Sequence, residues 1–226
     1  LLAGSLEVTG RLVDASNATL YAECTLGDEK MAVIYKPIAG ERPLWDFPDG
    51  NLAHREYAAF LISEFSGWNL VPPTVLRDGP FGSGMVQQWI DIDESIDLAL
   101  YYREDNENLR RMALFDAVIN NTDRKIGHLL PVGEGSLFGC DHGVTFHEEN
   151  KLRTVIWQFA ERRLTHEEIQ ILRDLVTRLK AESEALLQLI TEIEFAALIT
   201  RINCLIETEK FPSPSEDWPA IPWPPF

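Results

Sequence analysis

Apolar and polar residues alternate over the first part of the chain, and this pattern predicts short strands. The segments LEVTGRLV (6–13) and ATLYAECTL (18–26) both alternate, and the turn-forming run DASN (14–17) separates them. A period of two residues is typical of a half-buried strand, so we predict a hairpin. MAVIYKP (31–37) predicts a third strand, which its final proline closes.

A helical period follows, and the strand pattern then returns. Between 51 and 68, apolar residues recur three or four positions apart, which predicts one helix with Asn51 as its N-cap and Gly67 at its exit. TVLRDG (74–79) and GMVQQWI (84–90) predict two further strands. The predicted order of this region is therefore three strands, one helix and two strands.

Helical patterns dominate the remainder. Segment 106–120 has apolar residues at helical spacing, and SLFGCDHGVTF (136–146) predicts a hairpin-like pair around Asp141. Segment 165–207 begins with a capping box and is long enough for two helices. Segment 211–226, which we name the Pro/Trp segment, holds six prolines and two tryptophans, and we predict no regular structure there.

The composition fits a globular protein and narrows its partners. A chain of 226 residues, 45% of them hydrophobic, can form one sizeable domain or two lobes around a cleft. Its net charge of −16 opposes binding to nucleic acid and to anionic lipid surfaces. No apolar run reaches the roughly eighteen residues of a membrane span, and the start lacks the basic region of an export signal. The three cysteines contain no C-x-x-C pair, so we expect a cytoplasmic protein without a disulfide framework or zinc site.

Ionisable residues crowd the end of the predicted helix at 106–120. Asp123, Arg124, Lys125 and His128 lie within six positions. Asp141 follows Asp123 by eighteen positions, since 141 − 123 = 18, and also lies at the end of an apolar segment. Two carboxylates on adjacent loops can share a divalent cation, and Mg²⁺ is usually held by one or two carboxylates plus substrate phosphates. A single Asp at a helix end is more often a cap, so only the pair indicates a site.

Taken together, these segments resemble the phosphatidylinositol 3/4-kinase and HipA-like superfamily of atypical kinases. NTDRKIGH (121–128) resembles the type II phosphatidylinositol 4-kinase form of its D-R-x-x-x-N catalytic loop, and CDHG (140–143) resembles its D-x-G metal motif. YKP, GERPLWDFPDG, NNTDRK and DHGVTFH together resemble the SCO1664 family of actinobacterial proteins over most of the chain. The resemblance implies an α+β, two-lobed atypical kinase fold, with a strand-rich N-lobe (1–90) and a helical C-lobe (91–210).

The resemblance also implies roles for four residues in phosphoryl transfer from ATP. Asp123 would orient the acceptor hydroxyl and take its proton, and Asp141 would hold Mg²⁺ or Mn²⁺ against the phosphates. Lys36, in the third predicted strand, matches the lysine that neutralises the α- and β-phosphates. Glu56, on the inserted helix, could pair with Lys36. An exposed strand-end lysine and a solvated glutamate are the ordinary alternatives.

A nucleotide pocket is implied by the same comparison. The hinge would run from Gln87 through Gln88 and Trp89 to Ile90, and its backbone would read the adenine edge. Ile34 and Met85 would pack on the base. Core packing is the alternative for these two apolar residues.

Five further residues concern the phosphates and their metal. No G-x-G-x-x-G is present, and Ser16 and Asn17 at the first hairpin tip could donate to phosphate oxygens, although a plain turn is an equal alternative. Arg124 and Lys125 would add positive charge beside the phosphates. His128 stands where the superfamily has a metal-binding Asn. Imidazole suits Mn²⁺ better than Mg²⁺, which leaves a manganese-shifted site, a one-metal site, a lost site and a loop hydrogen bond open.

The implied function is transfer of the γ-phosphate of ATP to a hydroxyl of an unknown lipid, protein or small-molecule acceptor. A nucleotide-binding pseudokinase and an AMP-transferring enzyme are alternatives on the same fold. The sequence leaves the oligomeric state open.

Overall fold

Five antiparallel strands form the main sheet of the computed structural model, which describes residues 1–12, 17–42, 44–133 and 135–226. The strands are β1 (Ser5–Arg11), β2 (Leu20–Leu26), β3 (Glu29–Pro37), β4 (Thr74–Gly79) and β5 (Gly82–Gln88). Their spatial order is β1-β2-β3-β5-β4, so β3 is a central strand with β2 and β5 as neighbours. The predicted pattern of three strands followed by two is present.

The α-helix α1 (Leu52–Phe65) lies between β3 and β4 along the chain and packs against β4 and β5. Asn51 caps it as predicted, because its side-chain oxygen accepts a hydrogen bond from the His54 N–H at 2.8 Å. Ala58, Ala59 and Ile62 are fully buried and belong to the large apolar core that the helical region builds. The helix thus joins the sheet to the rest of the molecule.

Helices are the main regular elements of the remaining chain. They are α2 (Leu98–Tyr101), α3 (Glu107–Ile119), α4 (His166–Ala181), α5 (Ser183–Leu187) and α6 (Glu192–Thr208). The capping box at Thr165 and Glu168 starts α4, and the long predicted helical segment is divided among α4, α5 and α6. Several side chains of α3 are fully buried, which places this helix in the core. In the described ranges, no helix is both long and apolar enough to cross a bilayer.

The predicted hairpin at 136–146 is wrong in its pairing. The observed hairpin joins β6 (Leu129–Val132) to β7 (Ser136–Gly139), so β7 pairs with the segment before it. Residues 140–146 form a loop, in which Asp141 has a left-handed backbone with φ of 59°. The apolar run at 129–132 is short and contains a proline, so it gave no clear strand pattern.

The Pro/Trp segment forms neither helix nor strand, as predicted, and lies along the loop at 151–157. The carbonyl of Ala220 accepts hydrogen bonds from the Thr154 N–H at 3.0 Å and from the indole of Trp157 at 2.8 Å. The carbonyl of Pro225 accepts from the Ile126 N–H at 2.9 Å. The segment therefore touches the loop that follows α3.

Candidate functional site

Lys36 stands at the meeting point of three parts of the chain. Its Nζ lies 2.5 Å from Oε1 of Glu56 on α1 and 2.8 Å from Oδ1 of Asp141 in the loop after β7. Because β3 is central in the sheet and α1 packs against β4 and β5 of the same sheet, the lysine and Glu56 are both held on regular elements. The predicted pairing of strand lysine and helix acid is thus seen in the geometry, with Asp141 as a third partner.

The charges of this cluster stabilise one another. Burial would lower the pKa of Lys36, but Asp141 and Glu56 outweigh it and raise the pKa above the ordinary lysine value. Burial raises the pKa of Glu56, and the charge of Lys36 opposes that rise. Lys36 holds the pKa of Asp141 well below the usual range. The lysine is therefore an ammonium ion and Asp141 a carboxylate at neutral pH.

Asp123 faces the same space from the loop after α3. A cavity of about 170 Å³, the smaller cavity, is bordered by Asp123, Asp141, Lys36 and Glu56 together. Burial raises the pKa of Asp123 above its ordinary value, with Lys125 opposing. Nζ of Lys125 lies 3.3 Å from Oδ2 of Asp123. The structure thus brings the two predicted carboxylates to one cavity.

The structure turns Arg124 away from that cavity. Its side chain is fully buried, and its Nε and Nη2 lie 2.9 and 2.8 Å from the carboxylate oxygens of Asp116 on α3. Its Nη1 donates to the carbonyls of His128 at 3.3 Å and Cys140 at 3.2 Å. The guanidinium is therefore a brace that joins α3 to the loops carrying Asp123 and Asp141.

His128 lies beside Asp141, with Nε2 3.4 Å from Oδ2. Burial lowers the pKa of His128 to about 4, so the imidazole is neutral at pH 7. Its Nδ1 accepts a hydrogen bond from the Lys125 N–H at 3.5 Å, which places the remaining ring proton on Nε2, facing Asp141. The ring therefore accepts a hydrogen bond from the loop backbone. Metal binding through Nε2 would require the tautomer that carries its proton on Nδ1.

A second and larger cavity, of about 410 Å³, opens beside the smaller one and shares Lys36 and Asp141 with it. Its size falls within the range of roughly 300–1,000 Å³ that organic ligands occupy. The predicted pocket residues Ile34, Gln87, Gln88 and Trp89 all line it.

Met85 was also predicted to pack on the base, but it is fully buried and lies outside the lining of the larger cavity in the described part of the chain.

The backbone N–H groups of the predicted hinge are mostly occupied by hydrogen bonds within the protein. The N–H groups of Gln88 and Trp89 donate to the carbonyls of Pro73 and Ala32. Ile90 follows them and carries an N–H without a partner among the described residues.

The first hairpin tip is only partly described. Asn17 borders the smaller cavity, where its side-chain oxygen accepts a hydrogen bond from the Arg42 N–H at 2.9 Å. Ser16 lies outside the described residues.

Sequence reasoning missed Glu41, which also borders the smaller cavity. Its carboxylate accepts hydrogen bonds from the N–H groups of Leu52 and Ala53 at 2.8 Å, in the first turn of α1. Eleven positions separate Glu41 from Leu52, so no helical or strand spacing relates them. Only the folded chain brings them together.

The donor set fits a hard cation that arrives with phosphates. Asp141 is half-exposed and ionised, and Asp123 borders the same cavity. Across the described ranges, no three side chains of His, Cys, Asp or Glu are grouped to hold an ion by themselves. Mg²⁺ and similar ions complete their shells with water and substrate phosphates when a protein supplies one or two carboxylates. The residues therefore suit a nucleotide-linked cation and not an independent metal centre.

Solved kinase structures share this fold. The crystal structure of the Golgi casein kinase superposes on this chain with a TM-score of 0.59 and 15% sequence identity. The match covers 92% of this chain and 72% of the Golgi casein kinase chain. The Golgi casein kinase with Mn and ADP bound gives TM-score 0.60 at 13% identity, covering 92% and 73% of the two chains. The Helicobacter pylori proinflammatory kinase CtkA gives TM-score 0.50 at 13% identity, covering 93% and 94%. The predicted atypical kinase fold is confirmed.

Sequence comparison places the chain in a family. No protein-family model matches it, so the SCO1664 name stays an interpretation of the motifs. Protein Rv2133c of Mycobacterium tuberculosis is 40% identical to this chain over an alignment 259 positions long. The alignment covers 99% of this chain and 93% of the mycobacterial protein. The chain belongs to the same family as Protein Rv2133c.

Proposed function

We propose that the protein transfers the γ-phosphate of ATP to a hydroxyl group of an acceptor molecule. One observation carries the proposal: the Lys36 ammonium lies between Glu56 and Asp141 at the junction of the two cavities. A cationic group at that junction suits the phosphates of a nucleotide whose base occupies the larger cavity. The Mn and ADP bound by the Golgi casein kinase, which has a similar fold, support this choice of ligand.

The larger cavity suits the adenine and ribose. Ile34 and Trp89 give it apolar walls, and the Ile90 N–H is available to the base. The smaller cavity, with Asn17 at its border, would take the terminal phosphates. Lys36 would neutralise phosphate charge where the two cavities meet. Lys125, paired with Asp123, adds a second cation at the acceptor side.

Asp123 would accept the proton of the acceptor hydroxyl. As the acceptor oxygen bonds to the γ-phosphorus, the bond from that phosphorus to the β-γ bridging oxygen breaks, and ADP leaves. Burial raises the pKa of Asp123, which makes its carboxylate a better base than an exposed one. Little covalent work is needed from the protein in phosphoryl transfer, so position and charge account for most of the rate.

Asp141 would hold the divalent cation, which when bound would neutralise charge on the phosphates. His128 is neutral and its Nδ1 accepts a loop hydrogen bond, which favours a site with one protein-held cation over two. The acceptor class stays open among lipid, protein and small molecule. The net charge of −16 favours an acceptor away from anionic membrane surfaces.

The test is label transfer with ATP labelled at the γ- or the α-phosphate, in Mg²⁺ and in Mn²⁺, against pools of small hydroxyl compounds and proteins. We expect γ-label to move to an acceptor, and Asp123→Ala to lower the rate by about 10²- to 10⁴-fold. Asp141→Ala should be similarly impaired. Asp174→Ala, an exposed carboxylate on α4, is the matched control and should behave as the native chain.

Two results would contradict the proposal, and each would favour a different function. Transfer of the α-label would show an AMP-transferring enzyme. Metal-dependent ATP binding without any consumption would show a nucleotide-binding pseudokinase, which the position of His128 favours as the second candidate. An Asn replacement of His128 that restored turnover would assign the loss to that residue.

A further inference from the structure

Arg201, on α6, is a buried arginine without an acidic partner. Its residue is 9% exposed, and its Nε and Nη1 donate to the Val118 carbonyl and to Oδ1 of Asn150, each at 3.2 Å. Its Nη2 is buried and has no hydrogen-bond partner among the described residues. Within the same residues, no carboxylate lies within 4.0 Å of its guanidinium.

Other buried arginines of this protein are paired. Arg124 binds Asp116 at 2.8 Å, and Arg55 binds Glu194 at 2.6 Å. Burial lowers the pKa of Arg201 to about 10, which still leaves it charged at neutral pH. An unpaired buried charge is strongly unfavourable unless something compensates it. Arg201 therefore lacks the anionic partner that Arg124 and Arg55 have.

A cavity of about 190 Å³, which we name the Arg201 cavity, adjoins this side chain. The cavity holds several times the roughly 30 Å³ share of one water, yet it is smaller than the pockets of drug-sized ligands. Asn150 is exposed at its border and gives a route from solvent. Ser215 also lines the cavity, and its hydroxyl oxygen accepts a hydrogen bond from the Asp217 N–H, so the hydroxyl can still donate.

We propose that the Arg201 cavity binds a small oxyanion, with Arg201 as its charge partner. A guanidinium matches the geometry of carboxylate and phosphate oxygens, and Nη2 has both of its N–H groups available. Ser215 and Asn150 would add polar contacts. The site is separate from the two cavities of the cleft, since Arg201, Asn150 and Ser215 border neither of them. It is a site for a small oxyanion in addition to the proposed nucleotide site.

Thermal unfolding tests the proposal with inorganic phosphate, sulfate and acetate, each compared with chloride at matched ionic strength. The native chain should melt about 3–5 °C higher in an effective oxyanion at ten times its Kd. Arg173→Gln, which removes an exposed arginine on α4, should keep this rise. Arg201→Gln should lose it. Any oxyanion bound at Lys36 contributes equally to all of these proteins and cancels in the comparison.

A second variant covers the case in which Arg201→Gln fails to fold. Asn150→Asp places a carboxylate oxygen about where the amide oxygen lies, 3.2 Å from Nη1 of Arg201. This variant should melt higher than the native chain in chloride and gain less from an oxyanion. The proposal is overturned if the native chain gains nothing over chloride. It is also overturned if Asn150→Asp or Arg201→Gln gains as much as the native chain. Each readout is independent of ATP use.

Discussion

Asp123 combines a proposed catalytic role with a cost in stability. Burial, with help from the charge of Asp141, raises its pKa above the ordinary 3.8, and Lys125 only partly offsets this. The folded protein therefore binds a proton at Asp123 more readily than the unfolded chain does. The resulting loss of stability is complete above the folded-state pKa and disappears as pH falls below the unfolded value.

Replacing the carboxyl group should reveal this cost. Asp123→Asn should raise the melting temperature at pH 7, because the amide needs no desolvation of a charge. The gain should shrink as pH falls through the raised pKa of the native carboxyl, because that group then becomes protonated. Loss of the Lys125 contact opposes the gain only slightly, since partly exposed pairs contribute little. Asp174→Asn is the control; a lower melting temperature for Asp123→Asn at pH 7 would contradict this account.

The sequence identified the residues of the cleft better than it identified their orientation. Lys36, Glu56 and Asp141 were predicted from the order of motifs, and they do meet. Arg124 was expected beside phosphates, because a sequence shows the charge of a residue but not its direction. Its burial depends on α3, which carries Asp116 eight positions earlier and turns that carboxylate toward the loop.

At the scale of elements, the Pro/Trp segment supports the loop that carries Asp123. The Pro225 carbonyl accepts from the Ile126 N–H, three positions after Asp123. Trp218 lies over the ammonium of Lys151, with Nζ 4.4 Å from a ring centroid. The Arg153 carbonyl accepts a hydrogen bond at 3.1 Å from the Arg124 N–H, which belongs to the loop that carries Asp123. The segment thus forms an outer layer behind the proposed catalytic loop.

Ending the chain after Ala220 should therefore loosen this loop without unfolding the core. We expect kcat to fall about 10- to 100-fold, as positioning errors do, while the KM for ATP changes little. Hydrogen exchange of the Ile126 amide should accelerate. Trp223→Ala, whose ring is 89% exposed, is the control and should leave both values unchanged. Native exchange and native kcat in the shortened chain would show that the contact has no role.

Element prediction succeeded where the period was long and regular, as in α1, α3 and α4. It failed at β7, because an apolar run does not specify its partner. The short strand β6 contains Pro131 and showed no alternating pattern before the structure paired it.

At the scale of the whole molecule, α1 fixes the sheet against the helical region. Oε2 of Glu56 accepts from the His142 N–H at 2.8 Å, while Oε1 holds Lys36. The neighbouring Arg55 donates to the Thr145 carbonyl at 2.8 Å. These contacts hold the loop of Asp141 in place before any ligand binds. The contacts of Glu56 with His142 and of Arg55 with Thr145 follow from the complete fold, whereas the Lys36–Glu56 pair was predicted from the resemblance.

The charge balance of the cleft predicts a requirement for a divalent cation. Glu41, Glu56, Asp123 and Asp141 bring four carboxylates to the smaller cavity, whereas Lys36 and Lys125 bring two ammonium groups. Carboxylates therefore outnumber ammonium groups there before the phosphates arrive, within a protein of net charge −16. ATP alone would meet repulsion there.

Calorimetric titration of ATP tests the central claim most directly, with Mg²⁺, with Mn²⁺ and with a chelator in place of metal. The account predicts that ATP binds the native chain at least about tenfold more tightly with a divalent cation, a difference of about 1.4 kcal/mol. Asp141→Ala should lose that difference, and Asp174→Ala should keep it. Equal ATP affinity with and without metal, or a full metal effect in Asp141→Ala, would contradict the placement of nucleotide and cation between Lys36 and Asp141.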